Sequence, residues 1–218
     1  MVGANVTEDV GRMEFLLTLR RRGIADQDVL RAMEEVPRSA FVPQEFAASA
    51  YADRALPIAC GQTISQPFVV AYMTEHLDLA PEHRVLEIVT GSGYQAAILS
   101  RLAAEVVSLE RFRTLADAAR ARLESLNCGN VEVVVADGLA GAPERARFDR
   151  ILLTAAAERV PEALVEQLAE GGAMLMPLGP HDGTQRIVKL TKTSTGLDRE
   201  ELIPVRFVPL LSGRASEL

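Results

Sequence analysis

From Pro81 onward the chain alternates short, apolar, β-rich runs with amphipathic ones, and that alternation constrains the fold more than any other feature. Arg84–Val89 is a first strand, and a helix follows from about Tyr94 to Ala103. Val106–Leu109 is a second strand, Leu115–Leu126 a second helix, and Val131–Val135 a third strand. Ile151–Thr154, a helix over Pro161–Ala169 and a strand over Ala173–Met176 continue the pattern. Strands separated by helices must run parallel with right-handed crossovers, which predicts an α/β doubly wound sheet. Arg186–Thr191 and Ile203–Val208 have no helix between them. They are expected to form an antiparallel strand pair that finishes the sheet, with Thr195-Gly196 near the turn.

The first eighty residues read as helix and loop. Thr7 is placed to cap a helix running to Arg22 and stopped by Gly23, with Val10, Met13 and Leu17 on one face. The basic run Arg20, Arg21 and Arg22 then complements the helix dipole. Asp26 is placed to cap a second helix that turns Val29, Met33 and Val36 inward and ends before Pro37. Arg38 to Pro67 is a structured loop region of aromatic, Pro and Gly signals, and long loops in compact domains are often functional. Pro67 suits the first turn of a helix reaching about Leu77. The reading is one domain over residues 1–218, with a helical and loop extension over 1–80 and an α/β core over 81–218.

A formal net charge of −7 argues against a nucleic-acid partner, which needs clustered Lys and Arg. Cys60 and Cys128 form no CxxC pair, Met1 to Thr7 lacks an apolar leader region, and no run approaches the roughly 18 apolar residues of a membrane span. A cytoplasmic protein with free thiols and no membrane partner is expected.

The first strand runs into Glu87-Ile88-Val89-Thr90-Gly91-Ser92-Gly93-Tyr94. Ligands of doubly wound sheets bind at the carboxyl ends of strands near the topological switch, and Gly91 and Gly93 let the backbone approach one closely. A tight structural turn would use the same glycines. Glu110 follows the second strand, seventeen residues after Gly93, where a carboxylate accepts hydrogen bonds from ribose hydroxyls. The third strand ends in Ala136-Asp137-Gly138, where Asp137 suits an exocyclic amine of adenine; a plain Asp-Gly turn is the alternative. Acid and glycines at three successive strand ends favour a nucleoside ligand. The third glycine of a dinucleotide loop is missing, which argues against a nicotinamide oxidoreductase.

These residues resemble a known family. Leu56-Pro57-Ile58-Ala59-Cys60-Gly61-Gln62-Thr63-Ile64-Ser65-Gln66-Pro67 resembles the segment that distinguishes the protein-L-isoaspartate (D-aspartate) O-methyltransferases. So do Leu86-Glu87-Ile88 with Thr90 to Ala96, Phe148 to Ile151 with Thr154 to Ala157, and Gln167-Leu168 with Glu170 to Gly172. Pro37-Arg38 with Phe41-Val42-Pro43, and Val205 to Leu210, extend the resemblance over most of the chain. It implies a Rossmann-like sheet of the S-adenosylmethionine-dependent methyltransferase type. It also implies methylation of the free α-carboxylate of L-isoaspartyl residues in damaged proteins, after which the ester closes to a succinimide. The implied cofactor is S-adenosylmethionine, with S-adenosylhomocysteine as product and no metal. The implied cofactor contacts are Glu87, Val89, Gly91, Ser92, Gly93, Glu110, Asp137 and Gly138, with Thr63 and Ile64 from the distinguishing segment. Ser65 matches the catalytic serine and is expected to orient the substrate carboxylate, with Val208, Pro209 and Leu210 beside the substrate peptide. A carboxylate with a pKa near about 3.5–4 is already ionised at neutral pH, so no general base is required. His76, His83 and His181 lie in no nucleophile motif.

Val89 departs from the family, which has the first glycine of the loop there, and Ala59-Cys60 stands where a glycine and a polar residue are usual. Three consequences are open for Val89: it prolongs the first strand, it sets two methyl groups against the methionine part of the cofactor, or it forces the loop outward. Two functional alternatives accompany them: a methyltransferase acting on another carboxylate or a small molecule, and a binding module weakened by Val89.

Overall fold

The computed structural model describes the backbone of residues 2–215 and the side chains of residues 11–215. The chain opens with α1 (Val2–Arg21) and α2 (Gln27–Glu35). Gly23, at φ 102°, ends α1 in the left-handed conformation: its amide bonds Arg20 O and the next amide bonds Leu19 O. Asp26 caps α2 as its sequence position predicts, accepting from the amides of Asp28 at 2.8 Å and Val29 at 3.0 Å. Val29, Met33 and Val36 are buried as expected.

The stripe expected on α1 is corrected. Thr7 lies inside the helix rather than at its cap. Met13 and Leu17 are 65% and 43% exposed, while Phe15 and Leu19 are 3% and 0% exposed and form the inward face. Phe15 finds its partner in the Tyr51 ring, an edge contact at 5.6 Å that a helical wheel cannot anticipate. The side chain of Val10 lies outside the described residues.

Between α2 and the sheet the chain makes two 3-10 turns, Arg38–Phe41 and Gln44–Ser49, then the small antiparallel pair β1 (Leu56–Pro57) and β2 (Thr63–Ile64). Helix α3 (Pro67–His76) starts with Pro at its first position, where a missing N–H costs nothing. The sheet and its crossovers follow as β3 (Arg84–Ile88), α4 (Tyr94–Leu99), β4 (Glu105–Glu110), α5 (Arg113–Ser125), β5 (Val131–Val135), β6 (Phe148–Leu153), α6 (Glu162–Gln167), β7 (Leu168–Leu178), β8 (Gln185–Thr193) and β9 (Gly196–Val205).

The sheet has seven strands in the order β5-β4-β3-β6-β7-β8-β9. β3 through β7 are parallel, and β8 and β9 add an antiparallel pair at one edge. The doubly wound class and the terminal strand pair expected from the sequence are present. Strand β9 ends at Val205, however, so Val208, Pro209 and Leu210 lie beyond the sheet. They run instead beside Ala156, which donates to Val208 O at 2.8 Å and accepts from Leu210 N at 2.7 Å.

The chain leaves β3 outward through β4 and β5, then returns to the other side of β3 as β6, so the topological switch lies at the carboxyl end of β3. Val85 to Ile88 are all buried, as a central parallel strand requires. One apolar cluster joins Phe15, Leu19, Met33 and Phe41 of the extension to Tyr94, Ala97 and Val106 of the core, which seats the extension over the first crossover.

Candidate active site

The turn leaving β3 begins at Val89, with φ 75°. Strand β3 therefore stops at Ile88, which rules out the reading in which Val89 prolongs it. A β-branched residue in left-handed geometry is a steric outlier and persists only where its surroundings over-determine it. Here the Val89 amide donates to Leu109 O at 2.9 Å, and its carbonyl accepts from Thr154 Oγ1 at 2.6 Å. The loop then closes with Gly91, at φ 56°, and Gly93, at φ 88°, whose amide bonds Thr90 O at 2.9 Å.

Glu110, at the end of β4, faces this loop. Its Oε2 accepts from Gly91 N at 2.8 Å and its Oε1 from Phe112 N at 3.0 Å. Burial pushes the Glu110 carboxyl above its ordinary range, and the bonds from the Phe112 and Gly91 amides pull it back. Gly138, after β5, sits where a Cβ would fall 2.6 Å from Ile88 Cγ2, so glycine is required for the backbone to pass.

The β1–β2 hairpin and the start of α3 form the opposite wall. Cys60 and Gly61 both have positive φ, at 57° and 64°, and turn the chain so that Gln62, Thr63, Ile64 and Ser65 follow along the cleft. Ser65 O accepts from Nη2 of the fully buried Arg38 at 2.9 Å. On the other flank Asp53 accepts from Gln66 Nε2 at 3.0 Å and from Phe68 N at 2.9 Å, and is ion-paired with Arg22. Arg22 also lies 3.6 Å over the Phe68 ring.

Two adjoining cavities result. The larger, of about 390 Å3, is lined among others by Thr63, Ile64, Ser65, Val89, Gly91, Ser92 and Val208. The smaller is a slot of about 30 Å3 between Glu110, Phe112, Gly138, Pro209 and Leu210. Val89 and Gln62 line both. Most of the residues singled out in the sequence are therefore gathered at one place. Val208 faces the larger cavity, whereas Pro209 and Leu210 wall the slot beside Glu110.

Three of the expected contacts line neither cavity. Gly93 caps α4. Asp137 spends its carboxylate on the amides of Leu139 at 2.9 Å and Gly213 at 2.8 Å. Glu87 is fully buried beneath the loop, bonded to the Ser108 hydroxyl, which in turn meets Thr90 Oγ1 at 2.6 Å. Burial pushes the Glu87 carboxyl up to about 8; the Ser108 bond opposes this and the Glu110 charge adds to it.

Sequence reasoning missed Arg22, Asp53 and Thr154, all of which line the larger cavity. Arg22 was legible only as part of a basic helix end. Its pairing with Asp53 spans 31 positions and leaves no local pattern. Among the described residues none of the three histidines lines either cavity, and no cluster of three or more His, Cys, Asp or Glu side chains is placed to hold a metal ion. The lining suits a nucleoside that carries no phosphate. A buried carboxylate stands at the slot, a backbone cradle is closed to any Cβ at 138, and the adjoining cavity falls within the usual size of small-molecule sites.

Comparison with known proteins bears on the same residues. The family described as Protein-L-isoaspartate(D-aspartate) O-methyltransferase (PCMT) matches residues 11–215. A protein-L-isoaspartate O-methyltransferase of Rhodopseudomonas palustris is 61% identical over 207 residues, covering 95% of this chain and 96% of its own. A solved protein-L-isoaspartate O-methyltransferase superposes with a TM-score of 0.83 at 31% identity over 91% of this chain, which spans 65% of that longer one. A Plasmodium falciparum structure described as such an enzyme, in complex with S-adenosyl-L-homocysteine, gives a TM-score of 0.81 at 28% identity, covering 91% of this chain and 97% of its own. The chain belongs to the protein-L-isoaspartate(D-aspartate) O-methyltransferase family.

Proposed function

We propose that this chain transfers a methyl group from S-adenosylmethionine to the free α-carboxylate of L-isoaspartyl residues in damaged proteins, and so initiates their repair through a succinimide. The observation that carries the reading is a single cavity shared by two segments: Thr63 to Gln66 on one wall and Val89 to Ser92 on the other. A substrate group held by the first segment meets a cofactor held by the second. The cofactor supplies an electrophilic methyl group when bound.

Each wall has its task. Glu110 is placed to receive ribose hydroxyls, and Gly91 and Ser92 present backbone to the methionine portion. Gly138, Pro209 and Leu210 line the small slot beside Glu110 that an edge of the base would enter on binding, and Asp137 ties the turn next to it to Gly213. Glu87 supports the loop from beneath through Ser108 and Thr90 rather than by contact.

The acceptor is already an anion at neutral pH, so the protein has no proton to remove. Ser65 is placed to donate its hydroxyl hydrogen to one carboxylate oxygen and leave the other aimed at the methyl. Attack neutralises both reacting charges, so rate comes from in-line positioning and exclusion of water rather than acid–base work.

The expected setting is the cytoplasm. Both cysteines are free thiols, and among the described residues no helix is long and apolar enough to cross a membrane. Methyl transfer measured on an isoaspartyl peptide and on its normal aspartyl counterpart tests the proposal. Labelling is expected on the first alone, and equal labelling of both overturns it.

A further inference from the structure

Arg38 is a buried cation that the reaction scheme above does not use. It is 0% exposed, and the groups it bonds directly are neutral, with the Asp53 carboxylate near enough to attract it but not ion-paired to it. Its Nε donates to Ala50 O at 2.8 Å, its Nη2 donates to Ser65 O at 2.9 Å, and its guanidinium carbon lies 5.0 Å from the Tyr94 ring centroid. No ion pair is formed with it among the described residues. A buried charge without an opposite partner is costly, and apolar side chains of similar volume often match or exceed it in stability. Stability alone therefore gives a poor account of an arginine here.

What the arginine does geometrically is more specific. Its planar fork joins the loop carrying Ala50 to the peptide group between Ser65 and Gln66. The trans peptide unit is planar, so fixing the Ser65 carbonyl toward Arg38 turns the Gln66 N–H to the opposite side. Arg38 lies in the core, while Ser65 and Gln66 line the cleft. Asp53 takes the Gln66 side chain and the Phe68 amide. The serine is thus held from two sides: Arg38 fixes its peptide plane, and Asp53 fixes the start of the helix after it.

We infer that Arg38 is a positioning residue for methyl transfer, fixing the Ser65–Gln66 peptide so that the serine hydroxyl and the Gln66 amide converge on the substrate carboxylate. The inference rests on the role proposed for Ser65. Its long-range field adds to the effect, since a desolvated cation behind the serine favours an anion in front of it.

The test is a kinetic double-mutant cycle of Arg38→Met with Ser65→Ala, with S-adenosylmethionine affinity measured by titration on each protein. Arg38→Met is expected to lower kcat on an isoaspartyl peptide by roughly 100-fold, the cost of misplacing a reacting group by about an ångström, with cofactor affinity unchanged. In the Ser65→Ala background the same substitution is expected to cost less than about tenfold, the remainder being the Gln66 amide that Arg38 still positions, because residues that act as a unit are not additive. Arg38→Lys keeps the charge but places a single ammonium between two carbonyls; it is expected to lose turnover in the same way, and it carries the cycle should the methionine variant not fold. Multiplicative losses, or a parallel loss of cofactor affinity in both variants, overturn the inference. Full turnover in Ser65→Ala alone overturns the role of the serine instead, so the two failures are distinguishable.

Discussion

Replacing Val89 probes both the backbone and the cofactor space, and the two readouts have separate signs. At φ 75° the valine pays the left-handed penalty, about 1–2 kcal/mol for an L-residue and more for a β-branched one. Val89→Ala removes two partly buried methyl groups, a loss of about 1–1.5 kcal/mol at roughly 0.8 kcal/mol per buried carbon. The alanine keeps the left-handed penalty. Val89→Gly loses the same methyl groups and the Cβ besides, but removes that penalty, against about 0.4–1 kcal/mol for the freer unfolded chain. Glycine at 89 is therefore expected to be more stable than alanine by up to about 1 kcal/mol, a rise in Tm of up to about 4 °C for a chain of this size. In a regular strand the order would reverse, since glycine there is about 0.5–1 kcal/mol worse than alanine. Because Val89 lines both cavities, Val89→Gly should also tighten S-adenosylmethionine binding. Relief of overpacking by about 1–3 kcal/mol corresponds to roughly 5- to 150-fold. Urea denaturation of the three proteins with calorimetric titration of the cofactor measures both. An alanine variant as stable as the glycine variant refutes the strain argument, and unchanged or weaker cofactor binding in Val89→Gly refutes the crowding argument.

Glu87→Gln tests the buried acid. A carboxyl raised from 4.5 to about 8 by burial makes the folded state hold a proton that the unfolded chain releases, so its contribution to stability is full below about pH 4.5 and is lost as pH rises to about 8. Unfolding free energy of the wild type should fall relative to Glu87→Gln by up to about 1.4 kcal/mol per pH unit across that window, and parallel stability–pH curves would exclude the protonated acid. Glu110→Ala should weaken S-adenosylmethionine binding by about 1.5–3 kcal/mol, with the upper end expected because the carboxylate also holds the Gly91 and Phe112 amides. Ser65→Ala should lower turnover with cofactor affinity intact; a variant that instead fails to bind S-adenosylmethionine would reverse the assigned roles. Cys60→Gly should be more stable than Cys60→Ala, by the argument used for Val89, in thermal unfolding of the two variants.

The parts of the fold legible in the sequence were those with a local cause. Pro67 and Asp26 mark helix starts through their own backbone chemistry, and the β3-to-β7 alternation follows from burial on both sheet faces. The glycine loop and Glu110 were legible because strand ends of a doubly wound sheet gather at one edge. The errors arose where a partner distant in sequence decides. Phe15 rather than Met13 faces inward on α1 because Tyr51 packs there. Asp137, expected at the adenine amine, also ties its turn to Gly213, a bond spanning 76 positions that no local pattern announces. Arg22 reads as a helix-dipole residue until Asp53 and Phe68 are placed beside it. Arg38 was legible only as part of the Pro37-Arg38 segment that extends the resemblance, since its bonds to Ala50 and Ser65 span 12 and 27 positions.

The two departures from the family pattern share a physical consequence. Val89 and Cys60 both stand in left-handed geometry without being glycine; Val89 lines the cleft, and Cys60 turns the chain into the segment that forms its other wall. The two sides come close: a Cβ placed on Gly91 would lie 3.8 Å from Ile58 Cδ1. Each strained residue is held by its neighbours. Val89 is fixed by Leu109 and Thr154, and the turn at Cys60 by the bonds from Gln62 N to Ala59 O and from Ile58 N to Gln62 O. Beyond Val89 the loop keeps its bonds from Gly91 N to Glu110 and from Gly93 N to Thr90. A loop forced outward by the valine would have lost at least one of these. The backbone path that glycine would take is therefore retained, at a cost in stability, and the side chain is what changes. Of the three consequences open for Val89, prolongation of β3 is excluded by its φ and outward displacement by the retained bonds. What remains is two methyl groups on an otherwise complete loop at the junction of slot and cavity, where the proposed function puts the cofactor.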